Sequence, residues 1–125
     1  MTRAAAQGVR SFLETVPVQE VERERDAILA AHFSDRERQT LAARSARSVA
    51  GDLALKRALA RVAAALELPG AERDFEIGRA ANGAPCLLAV PEGFPAAPGR
   101  PVFISIAHGK QTACGLAVLR ESGDA

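Results

Sequence analysis

One break in the spacing of apolar residues constrains this chain more than any other feature, and it falls at Pro69-Gly70. Before it, Leu55, Leu59, Val62 and Leu66 recur at steps of three and four, which winds a single apolar stripe along a helix. After it the spacing becomes that of strands, in "DFEIGRAANGAPCLLAV", "VFISIAH" and "TACGLAVL". Helices first and strands second, with no alternation of the two, predict an α+β class: helices packed on a mostly antiparallel sheet.

The stripe predicts a helix from about Ser48 to Leu68, stopped by Pro69-Gly70. Upstream, Ser34 with Glu37 three residues later is a capping-box signature that starts a helix through "SDRERQTLAARSAR", and "ERERDAILAAHF" reads as a short helix before it. "SFLETVPVQEVER" alternates like a strand at Phe12, Val16, Val18 and Val21. Pro17 has no N–H and fits only an edge or a strand start. Asn82-Gly83 accepts the positive φ angles of a tight hairpin turn. "PEGFPAAPGRP" makes a stiff loop, and the last two strands form a second hairpin with His108 at its rim. The expected organisation is a leader over 1–10, one domain over 11–120 and a tail over 121–125.

A single domain of 125 residues buries roughly two-thirds of its unfolded surface, enough for a core without staples. Several function classes recede at once. A net charge of +1 gives no long-range attraction to nucleic acid or an anionic membrane, and five Phe with no Trp or Tyr leave little surface for stacking on bases. No stretch reaches membrane-spanning length and none has the make-up of a signal peptide, so a cytoplasmic protein is expected. Cys86 and Cys114 sit in apolar runs and read as reduced core thiols. With His32 and His108 they make no ligand pair at a recognised metal spacing. Lys56, Arg57 and Arg61 lie off the centre of the helical stripe and, taken alone, are a solvated face. Asp52 stands one turn before Lys56, where the two can pair. For His108 the residues leave two readings open: a strand-end imidazole bonded to neighbouring backbone, or one delivered to an anionic ligand.

The order of the pieces resembles the holo-acyl-carrier-protein synthases, the small single-domain branch of the 4′-phosphopantetheinyl transferase superfamily, from about Val16 to Leu119. "VPVQEVER" is similar to the family's opening G-[IV]-D-[IV]-x-x-[IV]-x-R, and "SVAGDLALKRALARVAAAL" to its central helix F-x-x-R-[FW]-x-x-K-E-[AS]-x-x-K. "EIGRAANGAPCLLA" resembles the I-x-x-x-x-x-G-x-P hairpin through Gly83 and Pro85, and "ISIAHGKQTACGLAVL" the closing S-[IL]-[ST]-H strand and hairpin. The resemblance implies a reaction: phosphopantetheine moves from coenzyme A to a carrier-protein serine, releasing adenosine 3′,5′-bisphosphate. In the family, Mg²⁺ is held by the aspartate of the first strand and the glutamate of the central helix, as a hard cation requires.

This chain departs at those positions. In the matching register Pro17 replaces the aspartate, Arg57 replaces the glutamate, and Asp52 replaces an arginine that contacts the nucleotide. A divalent cation beside Arg57 would face a like charge, so metal binding at the usual place is not expected. Lys56, Arg61, Ser105 and His108 keep the family's residue or charge. The resemblance therefore implies coenzyme A as the ligand, with Lys56, Arg57, Arg61, Ser105 and His108 as its phosphate-binding set and Lys56 as the candidate catalytic group. It also implies an acyl carrier protein or an active homologue as partner, and a homotrimer or hetero-oligomer with sites between subunits. The expectation is a degenerate transferase that still binds. The alternatives are metal-independent transfer by Lys and Arg, or an interaction domain with no small-molecule site.

Overall fold

The structure, a computed structural model, describes residues 8–95 and 102–120. Strand β1, Val9–Pro17, runs straight into helix α1, Val18–His32; α2, Asp35–Leu41, and α3, Ala46–Ala65, follow. A 3-10 turn over Glu72–Asp74 leads to β2, Glu76–Arg79, and β3, Pro85–Ala89. The closing hairpin is β4, Val102–His108, with β5, Thr112–Arg120. The first strand thus begins two residues inside the expected leader. Val9 and Arg10 pair with Arg120 and Leu119, while residues 1–7 and the tail lie outside the described residues.

Two antiparallel sheets result, one of order β1-β5-β4 and one of β2-β3, which gives the expected α+β class. Pro17 ends β1, an edge strand, where a missing N–H breaks no ladder. Val18 and Val21, expected on the strand, belong to α1 instead. Both spacings bury a valine two residues after Val16; the helix starts directly after Pro17, its N-cap, and the Val18 N–H, which has no partner in the first turn of a helix, donates to Gln111 O at 2.8 Å as the last rung towards β5. The Ser34 capping box forms as expected, but α2 stops at Leu41 and Ser45 caps a new helix, so α3 starts two residues before Ser48. Arg25 donates to the carbonyls of Leu41 and Arg44 and satisfies that junction. At its other end α3 stops well short of Pro69-Gly70. Leu68 N–H reaches Ala63 O at 2.8 Å and Glu67 N–H reaches Ala64 O at 3.0 Å, a Schellman closure with Glu67 at φ 58°.

Helix α3 lies across the inner face of the three-stranded sheet and divides the core in two. Under α1, Val16, Val21, Phe33, Leu53 and Ala113 pack together. Towards the β2-β3 sheet, Leu55, Leu59, Phe75, Phe94 and Leu119 do so. The hairpin forms, but its turn is centred on Ala81-Asn82 and closed by Gly83 N–H on Ala80 O at 2.9 Å, so that Gly83 alone takes a positive φ, 89°, and Asn82 does not. The "PEGFPAAPGRP" loop is described only to Pro95, where Phe94 meets the Phe75 ring edge-on. The two cysteines are free as expected but only half-buried. Alternation along β5 turns Cys114 to the face opposite α3.

Candidate functional site

The site region follows from how closely α3 approaches the sheet. A Cβ on Gly115 of β5 would lie 2.2 Å from the backbone nitrogen of Leu55, so the helix backbone rests on the central strand. A Cβ on Gly51 would lie 2.7 Å from both the His108 imidazole and the Ile106 side chain. The absent side chain at Gly51 is what lets the exposed His108 ring fold over α3 at the end of β4. Beside it, Asp52 is buried and accepts from Arg79 Nη2 at 2.7 Å, while Arg79 stays partly exposed at the end of β2. Burial pushes the Asp52 carboxyl above its ordinary value, and the Arg79 guanidinium opposes that rise.

The other flank of α3 carries different chemistry. At 100° per residue, Asp52 and Arg57 point about 140° apart around the helix. Arg61, one turn beyond Arg57, pairs with Glu14 of β1 at 2.8 Å and lies over the Phe12 ring, 5.3 Å from its centroid. Arg57 is half-buried and meets no acceptor among the described residues. Near the β1-α1 junction, Pro17, Gln19, Glu22, Lys110, Gln111 and Thr112 line an open groove of about 450 Å³.

Lys56 joins neither flank. It is fully buried, 2.5 Å from Glu37 Oε1, bonded to Phe75 O and seated over the Phe33 ring. The solvated face expected there is corrected for this residue, and so is the Asp52–Lys56 pair: each group found a longer-range partner. Burial lowers the Lys56 pKa, with Glu37 acting against it. Glu37 also accepts from Ser34 N–H at 3.0 Å and Ile77 N–H at 2.9 Å, which ties α2, α3 and β2 at one carboxylate. Sequence reasoning saw Glu37 only as a cap; Arg79 carried no signal at all.

By sequence, no protein-family model and no curated relative matches the chain. Solved structures do match. A holo-(acyl-carrier-protein) synthase from Bacillus anthracis, in complex with CoA (3′,5′-ADP), is 22% identical, with 90% of this chain and 96% of that one covered at a TM-score of 0.69. The acyl carrier protein synthase of Mycobacterium tuberculosis is 21% identical over 91% and 99% at 0.69. The Chronobacterium ammoniagenes synthase–CoA complex is 18% identical over 93% and 99% at 0.71. The fold is that of the holo-acyl-carrier-protein synthases.

Within that synthase fold, the donors at the two expected metal positions do not suit a divalent cation. Pro17 has no side-chain oxygen, Arg57 is itself a cation, and the nearby Glu14 is engaged by Arg61. Among the described residues no group of three or more His, Cys, Asp or Glu side chains is placed to hold a metal ion. The expected phosphate-binding set is also not one cluster in a single chain. His108 lies at the β4 edge, Arg57 and Arg61 on the flank towards β1, and Lys56 in the core. Ser105, three residues before His108, is exposed on the outward face of β4, away from α3.

Proposed function

We propose that this chain is a holo-acyl-carrier-protein-synthase-like protein that binds coenzyme A without the family's metal, its transferase chemistry having lapsed with the two carboxylates. The observation that carries this reading is the pairing of a synthase fold with His108 held exposed over Gly51, at the strand end where the resemblance implies nucleotide binding. Placement of His108 and the Arg57–Arg61 pair on different flanks supports a site shared between neighbouring subunits, hence a homotrimer or a hetero-oligomer with an active homologue. An acyl carrier protein is the macromolecular partner the fold favours.

The test is calorimetric titration of coenzyme A into the purified protein, with and without Mg²⁺, beside His108→Ala. Binding that ignores Mg²⁺ and weakens tenfold or more in the variant is expected. Absence of binding in both conditions overturns the reading.

A second reading draws on Arg57, which meets no acceptor among the described residues. With Arg61 it would neutralise the pyrophosphate in place of metal, and catalysis would rest on positioning and charge. Lys56 would take no direct part because Glu37 and Phe75 O hold it in the core. This reading requires a carrier protein to gain the mass of one phosphopantetheine at a rate that a chelator does not change.

A further inference from the structure

The central helix has exchanged the sign of one charge. Asp52 occupies the position where the resemblance implies a nucleotide-contacting arginine, and a carboxylate there would repel a phosphate. Yet Asp52 does not face outward alone. It is buried and fixed on Arg79 of β2, a residue outside every matching motif position.

A buried ion pair is a poor stabilising device, since apolar residues of like volume often do as well or better. Its geometry is what distinguishes this one. Asp52 is enclosed, whereas Arg79 is 23% exposed. A guanidinium carries five N–H donors. Nη2 bonds to Asp52 Oδ1 at 2.7 Å and Nη1 to Gly78 O at 3.0 Å; its other N–H groups meet no acceptor among the described residues. The side chain is thus anchored through one edge with donors left over. Position completes the case. The His108 ring packs on Gly51 and Arg79 on Asp52, adjacent residues of α3, and β3, the partner of β2, approaches β4.

We propose that Arg79, oriented by Asp52, and His108 form a phosphomonoester-binding pair that recognises the 3′-phosphate of coenzyme A. Asp52 is the positioning residue, and Arg79 supplies from the hairpin the cation that the helix has lost. This rests on the coenzyme A reading above and deepens it. A forked guanidinium beside an imidazole suits a phosphate with several acceptor oxygens better than a single carbonyl.

The experiment compares coenzyme A with dephospho-coenzyme A, which lacks only that phosphate, by calorimetry. Wild type is expected to prefer coenzyme A by tenfold or more. Arg79→Lys, which keeps the charge but loses the fork, is expected to reduce the preference. Asp52→Asn/Arg79→Met is expected to abolish it with dephospho-coenzyme A affinity unchanged. The double variant leaves no buried unpaired charge, and its fold is verified by circular dichroism. Equal affinity of wild type for the two ligands, or a preference that survives in the double variant, overturns this pair while the coenzyme A reading stands. Binding of neither ligand by wild type overturns both.

Discussion

Lys56 shows how a residue that matches a functional motif can be committed to structure. Its ammonium shares a dry site with the Glu37 carboxylate, and Glu37 in turn receives two backbone N–H groups. Lys56→Met would remove the cation and strand that carboxylate, at a cost of about 3–5 kcal/mol. Urea denaturation at neutral pH should show it, and a loss below about 1 kcal/mol would contradict the buried pair. Asp52 yields a second prediction, in pH. Its folded-state pKa lies above the ordinary 3.8, so the folded chain holds the proton more tightly than the unfolded one. Its contribution therefore weakens as pH rises from about 3.8 through the folded value. Asp52→Asn, which keeps an acceptor for Arg79, should gain on wild type across that window in denaturation series run at stepped pH. A difference that stays flat would place the carboxyl in a wetter site. Neither partner choice was legible locally: spacing pointed Asp52 at Lys56, one turn away, while Arg79 and Glu37 arrive from 27 and 19 residues away.

Between elements, the contact that sets the site is glycine against helix backbone. At Gly115 an added methyl would strike Leu55 N and Cα, atoms that cannot rotate aside. Gly115→Ala should therefore cost about 3 kcal/mol, the upper end of ordinary overpacking. At Gly51 the methyl would meet the His108 ring and a methyl of Ile106, both side-chain ends. Gly51→Ala should accordingly leave thermal stability nearer to wild type while displacing His108, with coenzyme A affinity falling at least fivefold. The opposite ranking of the two variants in a melting experiment would refute this account. Sequence periodicity disclosed these elements unevenly. The stripe through Leu55, Leu59 and Val62 and the Asn82-Gly83 pair are strong local signals, and both elements formed, the hairpin with its turn centred one residue earlier. The β1-α1 junction was ambiguous because Val16 and Val18 share a strand's period of two while Val18 and Val21 share a helix's step of three, and the chain changes from one to the other at Pro17, the N-cap of α1. Glycines that admit a helix carry no mark of their own until the opposing backbone is in place.

For the whole molecule, the outward face of the three-stranded sheet remains to be accounted for. Opposite α3, Leu13, Leu116 and Ser105 align in one row, and Ser11, Val118 and Phe103 in the next. Leu13 is 58% and Phe103 54% exposed, and none of the described elements covers them. In the homotrimer proposed above, this face would pack towards the ring's centre against its neighbours while the β4 edge of one subunit lay beside the β1 edge of the next, the same contact repeating at every interface. His108 and the Asp52–Arg79 pair of one chain would then face Arg57 and Arg61 of its neighbour. Wild type should sediment at three times the 13.1 kDa of one chain. Phe103→Glu, which places a charge on the apolar face along its β4 strand, should sediment as monomer, whereas Thr40→Glu at an exposed position of α2 should not change the assembly. A monomeric wild type, or a Phe103→Glu protein that stays assembled, would show that this surface is not the subunit interface. Coenzyme A separates the remaining possibilities. If the monomeric variant loses affinity with its assembly, the phosphate-binding groups act across subunits. If it binds as tightly as wild type, His108 and Arg79 suffice within one chain, and the Arg57–Arg61 flank has another use.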